Sequence, residues 1–323
     1  MPMSPVPPRT PIERMGLGLA AVGRPGYITL GRETDLPGER TVAAMRRRTH
    51  ELLDLAYERG IRYIDTARSY GRAEEFLADW LNSRGKPRDL LVGSKWGYTY
   101  TADWHVDAPT HEVKDHSIRT YDRQLGETRS LLGARLDLYQ VHSVTPGSTA
   151  LTDTALHHRL AELAAQGVTV GLTTSGPNQR DAIRAALDIA VDGEPLFRSV
   201  QATWNLLEPS AGPALAEAYD AGRTVIVKEA LANGQLAQPH PAHPVLASIA
   251  ETAHTSCDAI ALAAALRHPW ARLVLSGAAT TRQLAANLLA TTVSLSTDQL
   301  AQLTNLAETP HTYWSRRSQL PWT

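Results

Sequence analysis

A chain of 323 residues with 43% apolar and 20% charged residues has material for one large core, which excludes general disorder. Its 32 basic and 33 acidic residues leave a net charge of −1, without the basic, aromatic-laced stripe of a nucleic-acid binder. The single cysteine, Cys257, rules out an intrachain disulfide or a multi-thiolate metal site.

The Pro-rich residues 1–14 hold no signal-peptide apolar run, and no stretch is long enough to span a bilayer. A flexible lead-in and a cytoplasmic protein are expected. From Met15 onward, short β-branched or apolar runs alternate with longer stretches of helical period. Gly16 to Val22 predicts a first strand, followed by a Gly- and Pro-rich connection from Gly23 to Glu39. Leu52, Leu53, Ala56 and Tyr57 share a helical face, Gly60 suits the left-handed position beyond it, and Ile61 to Thr66 reads as the second strand. Phe76, Leu77, Trp80 and Leu81 repeat the helical spacing before the third strand, Asp89 to Lys95, and a loop from Gly97 to Pro109. A helix striped by Ile118, Tyr121, Leu125 and Leu132 leads to the strand Leu136 to His142. Further strands are expected at Val168 to Leu172, Ser199 to Trp204, Thr224 to Lys228 and Arg272 to Leu275, with helices around Leu160, Leu187, Leu215 and Leu288. A third long connection runs from Ala230 to Pro244.

Eight strands in βα order with no linker predict an α/β protein, a single-domain (β/α)8 TIM barrel over residues 15–306 with a tail at 307–323. A doubly wound dinucleotide fold is rejected, because Gly16, Gly18 and Gly23 miss the required spacing and no helix opens after them.

Three successive strands run out into ionisable groups: Asp65 followed by Tyr70, then Lys95, then His142. Singly, each reads as a cap, a surface aromatic, a snorkelling lysine and a core histidine. Jointly, they share the C-terminal rim of a parallel barrel, where active sites form. A free phenol has a pKa of about 10, and an adjacent ammonium favours its ionised form. Lys95 is the expected ammonium, and Asp65 the counter-ion that its burial requires. Tyr70 would then exchange a proton with a developing alkoxide, with His142 orienting the same oxygen. That chemistry suits carbonyl reduction or alcohol oxidation and needs a bound hydride donor.

These residues resemble the aldo-keto reductase family. The segment Asp65-Thr-Ala-Arg-Ser-Tyr70-Gly71 with Glu74 and Glu75, the strand Leu138-Tyr139-Gln140-Val141-His142, and Lys95 match its signatures. So do Asn205-Leu206-Leu207, Leu231-Ala232-Asn233-Gly234, and Ser276-Gly277-Ala278 through Gln283-Leu284 to Asn287. Within the family, the look is similar to bacterial aldose-dehydrogenase-like members. The resemblance implies a (β/α)8 barrel binding NADP(H), or NAD(H), in extended form, with Asp65, Tyr70, Lys95 and His142 as its tetrad. By the same matching, Gly18 and Leu19 would lie near the nicotinamide, beside Asp65, and Gln201 would contact its carboxamide. Leu231 and Gly234 would form a strap over the pyrophosphate, and Ser276, Gly277, Gln283 and Asn287 would line the adenosine end.

Three departures stand out. Lys228 occupies the position of an aromatic that stacks on the nicotinamide, leaving Trp204 as a candidate for the stack and Lys228 for a pyrophosphate contact or an ion pair with Glu229. Thr174 and Ser175 stand at a Ser-Asn pair that meets the carboxamide. Ala279 replaces an arginine that recognises the 2′-phosphate, with Arg282 as a substitute; family preference tips the reading to NADP. Trp96, Tyr98 and Trp104 after the lysine form either a substrate wall or a self-packed loop. The paired histidines His157/His158 and His240/His243 imply no metal. Trp314, Arg316, Arg317 and Trp322 would fold over the rim or make a subunit contact. The expected partner is a small carbonyl or sugar substrate, with no nucleic acid or membrane and an oligomer left open. A cofactor-binding regulatory subunit and a redox-neutral enzyme are the rival readings.

Overall fold

The computed structural model describes residues 10–36, 38–85 and 87–323. Eight parallel strands close into a barrel in chain order. They are β1 (Met15–Gly18), β2 (Tyr63–Asp65), β3 (Leu91–Trp96), β4 (Leu138–Val144), β5 (Thr169–Thr174), β6 (Ser199–Thr203), β7 (Thr224–Lys228) and β8 (Leu273–Ser276), with helices between successive strands. This is a (β/α)8 barrel in one domain.

The period-two alternation of the strands sorts their side chains into two cores. Leu17, Ile64, Val92, Val141, Val170, Val200, Val227 and Val274 face outward into the large core under the helices. Tyr63, Leu138, Ile226, Leu273 and Leu275 form a separate small cluster inside the barrel. Further along the same inward faces come Asp65 two residues after Tyr63, Gln140 and His142 two and four after Leu138, and Lys228 two after Ile226. The apolar plug therefore carries a polar layer at its C-terminal end. Gly93 makes room for the plug: a Cβ there would sit 2.3 Å from the Tyr63 hydroxyl.

All eight expected strands form, with shifted ends. β1 stops at Gly18 rather than Val22, because the N–H groups of Val22 and Gly23 turn back onto the Leu19 carbonyl at 3.1 and 3.0 Å. That turn brings Gly23 against the second loop, where a Cβ would lie 2.3 Å from the Tyr70 carbonyl oxygen. Within the loop after β3, Tyr98–Tyr100 pairs antiparallel with Glu112–Lys114, so it is in part a hairpin.

Of the expected lead-in, residues 1–9 lie outside the described residues, while Pro11–Arg14 form a 3-10 turn. Arg14 anchors that turn by donating to the carbonyls of His268 and Ala271 at 2.9 and 2.8 Å. The tail forms a helix, Pro310–Ser318, and then crosses the barrel mouth. There Thr323 and Tyr27 exchange backbone hydrogen bonds of 3.1 and 3.2 Å, so the tail does fold over the rim. Among the described residues, no helix is long and apolar enough to cross a membrane.

Candidate active site

Asp65, Tyr70, Lys95 and His142 converge. Lys95, at 1% exposure, donates to Asp65 Oδ2, to the Thr66 carbonyl at 2.9 Å and to the Tyr70 hydroxyl at 3.3 Å. The His142 ring stands edge-on to Tyr70, centroids 5.6 Å apart, with its Nδ1 3.5 Å from Ser69 Oγ. A bulge in β4, with Ser143 at φ 55°, ends the regular register just past His142.

A buried carboxylate needs its remaining lone pairs filled, and neighbours on the inward layer do this. Asp65 Oδ1 accepts from Gln201 Nε2 at 2.8 Å and from the Tyr63 hydroxyl at 3.2 Å. Glu74 braces the helix behind Tyr70. It is almost fully buried and accepts from Ser94 Oγ at 2.5 Å, from Thr128 Oγ1 at 2.9 Å and from Arg68.

The acidifying influence expected of Lys95 on Tyr70 is outweighed. Burial, and then the charge of Asp65, hold the Tyr70 phenol well above the usual tyrosine range, with Arg24 pulling the other way. Lys95 is itself lowered by burial, against Asp65, whose charge it balances. Burial, and then Lys95, Lys228 and Arg24, push His142 well below the usual histidine range. Both shifts favour the uncharged forms, a protonated phenol beside a neutral imidazole.

A cleft leads from this group across the barrel mouth. Gly18, Asp65, Tyr70, His142, Gln201 and Lys228 line one end. Leu231 and Gly234 flank its middle, and Ser276, Gly277, Gln283 and Asn287 line the other end. Strap and first loop meet over it: Asn233 donates its amide to Ile28 O at 2.8 Å, and Leu30 N–H donates to Asn233 O at 2.9 Å. At the far end Asn287, with its amide oriented to satisfy its neighbours, donates to Asp258 Oδ2 at 2.7 Å and accepts from Ser276 Oγ at 2.8 Å. The residues suit an extended dinucleotide. Gly277, on the cleft wall, opens onto free space: a Cβ there would meet no protein atom within 4 Å. Two cations, Lys228 and Arg317, line the cleft, with charge suited to an anionic ligand.

Several expected site residues are not brought to the cleft, mostly by strand parity. Trp96 and Trp204 each follow an inward residue and so point outward. Trp96 packs on Tyr121 at 5.1 Å, and Trp204 on His268 and Trp270 at 4.5 and 5.9 Å. Thr174 points outward to Gln179, and the inward residue of β5 is Thr173, whose Oγ1 accepts from Ser143 N at 2.7 Å. Ser175 lies beyond the strand, its N–H on Val144 O at 3.3 Å. Leu19 packs in the outer core and reaches the site only through its N–H, 2.9 Å from Asp65 O. Trp104 is anchored by its indole N–H on Arg40 O at 2.8 Å, and Arg282 is exposed. Tyr98 does reach the site, edge-on to His142 at 5.1 Å.

Sequence reasoning missed Arg24, Tyr27, Tyr63, Glu112 and Asp258. Arg24 donates to Ser69 O at 2.9 Å and Glu112 Oε2 at 3.0 Å, and its guanidinium lies 5.4, 5.3 and 4.7 Å from the ring centres of Tyr70, Tyr27 and Trp322. Only Tyr63 had a local signal, its alternation with Asp65. Among the described residues, no three His, Cys, Asp or Glu side chains stand close enough to hold a metal.

Comparison with known proteins agrees with this geometry: residues 26–308 match the Aldo/keto reductase family. The chain belongs to that family. It is 29% identical over 202 residues to pyridoxal 4-dehydrogenase of Microbacterium luteolum, covering 53% of this chain and 58% of that protein. Over 97 residues it is 30% identical to aldo-keto reductase str7 of Strobilurus tenacellus, covering 30% of this chain and 26% of the other. Both relatives are oxidoreductases by name, and the chain aligns with only part of each. The fold is shared with an aldo-keto reductase from Klebsiella pneumoniae in complex with NADPH (TM-score 0.66, 22% identity, 91% and 90% of the two chains). It is shared as well with AKR11C1 from Bacillus halodurans in its holo form (TM-score 0.68, 20% identity, 92% of each chain).

Proposed function

We propose that this aldo-keto reductase family member is a cytoplasmic, NAD(P)(H)-dependent oxidoreductase acting on an aldehyde, ketone or sugar hydroxyl, with Tyr70 as the general acid or base. The observation that carries the reading is the Tyr70 hydroxyl 3.3 Å from an ammonium already balanced by a buried carboxylate, at the mouth of a long cleft.

A bound nicotinamide would supply or accept the hydride. In the reducing direction, Tyr70 holds its proton until negative charge develops on the carbonyl oxygen, then gives it up. Lys95 stabilises the phenolate left behind, which offsets the burial that otherwise keeps the phenol protonated. Neutral His142 orients the same oxygen, and Asp65 keeps Lys95 charged. Gln201 and Gly18 would bound the nicotinamide, and Leu231 and Gly234 the pyrophosphate. Ser276, Gly277, Gln283 and Asn287 would hold the adenosine. NADP(H) leads, supported by the Klebsiella structure's bound NADPH, although no arginine among the described residues lines the adenosine end.

Tyr27, Tyr70 and Trp322 around Arg24 suit a flat or ring-bearing carbonyl compound, and the Microbacterium relative is named for pyridoxal. The test is titration with NADPH and NADH, then a panel of aldehydes, ketones and sugars that includes pyridoxal. Tyr70→Phe should lower turnover at least about a hundredfold while keeping dinucleotide affinity. Unchanged turnover in that variant removes Tyr70 from the mechanism.

A further inference from the structure

The cations at the tetrad end of the cleft are paired in a telling way. Lys95 has Asp65, Arg24 has Glu112, and Arg317 grips Glu229, with Nε 3.1 Å from both carboxylate oxygens. Among the described residues lining that end, Lys228 alone has no carboxylate within ion-pair distance. Its Nζ donates to Thr203 Oγ1 at 3.2 Å. The adjacent Glu229, in the left-handed region at φ 55°, is committed to Arg317 and to Thr203, whose Oγ1 donates to it at 2.8 Å.

The strand alternation that puts Ile226 in the inner plug aims Lys228 at the cleft floor. A hydride and the proton from Tyr70 end on the two atoms of one carbonyl. The hydride-bearing ring must therefore lie beside Tyr70 and His142, over Gly18, Gln201, Lys228 and Leu275. No aromatic side chain is among those four. We propose that Lys228 makes this floor discriminate between the redox states of the nicotinamide, favouring the neutral reduced ring over the cationic oxidised one.

The proposal rests on the oxidoreductase reading above. Two unit charges about 6 Å apart at an effective permittivity near 20 alter a binding ratio by on the order of a hundredfold. Glu229 and Asp65 offset part of that, leaving on the order of tenfold. Burial lowers the lysine's proton affinity and Glu229 opposes the shift.

Dissociation constants of the reduced and oxidised dinucleotides, measured by fluorescence on the full chain, test this directly. In Lys228→Met the ratio of oxidised to reduced constants should fall about tenfold, mainly through tighter binding of the oxidised form. Lys228→Arg should keep the wild-type ratio. Lys228→Gln, able to keep the Thr203 contact without charge, should behave like the methionine variant and guards against a packing defect. An unchanged ratio overturns the proposal, and so does equal weakening of both forms, which would assign the lysine to the pyrophosphate. Wild-type protein that binds neither form would instead sink the oxidoreductase reading itself, and the proposal with it.

Discussion

Lys95→Met removes the ammonium while keeping most of the volume, so the cost it reads is electrostatic. Asp65 is 3% exposed and would lose the partner on Oδ2, while Gln201 and Tyr63 still fill Oδ1. Breaking one side of a buried ion pair typically costs about 3 to 5 kcal/mol. Two donors remaining on the other oxygen place this site near the lower end, about 3 kcal/mol. Adding Asp65→Asn removes the stranded charge, and the amide oxygen can still accept from Gln201 and Tyr63. The double variant should therefore recover about 2 kcal/mol of stability without recovering turnover. Urea unfolding followed by circular dichroism measures both, with an unchanged slope confirming the same native compactness. A single-variant cost below about 1 kcal/mol, or a double variant no more stable than the single, would refute the idea that Lys95 is present to balance a buried Asp65.

Gly93→Ala should destabilise by about 2 to 3 kcal/mol, since its Cβ would lie 2.3 Å from the Tyr63 hydroxyl in a strand held by Asp65 and Leu138. Combining it with Tyr63→Phe should return part of that loss, and strict additivity in a double-mutant cycle would count against the clash. His116, whose ring nitrogens meet His142 O at 2.8 Å and Ser148 Oγ at 2.5 Å, is pushed down to about 4 by burial, with the His142 carbonyl opposing. A depressed folded pKa means that the unfolded chain takes up the proton first. This contribution is therefore intact above about pH 6.5 and is lost as pH falls from there to about 4, reaching at most about 3 kcal/mol. His116→Asn should flatten the stability profile over that window; a profile parallel to wild type would exclude the effect.

The βα rhythm exposed all eight strands, because each carries an apolar run bounded by breakers. Strand ends were less legible: Val22 is as apolar as a strand residue, yet the chain has already turned back onto the Leu19 carbonyl, in a turn that seats Gly23 against the second loop. The tetrad converges because its members sit near the ends of neighbouring strands, a pattern visible in one dimension. Trp96 and Trp204 were misplaced by a single position, which reverses the face on which a strand residue stands. Arg24 could not be found, because its partners Ser69, Glu112 and Trp322 come from three distant segments.

The amino-acid order alone determined the barrel, the family and the four residues that meet at its rim, since local periodicity and strand-end chemistry are both written along the chain. Pairing of charges was settled only in three dimensions. Which carboxylate each cation finds depends on loops that meet across the mouth, and burial, then Asp65, hold the Tyr70 phenol above its usual range against the pull of Arg24. That long-range pairing also leaves Lys228, among the described residues at that end of the cleft, without a carboxylate in ion-pair distance.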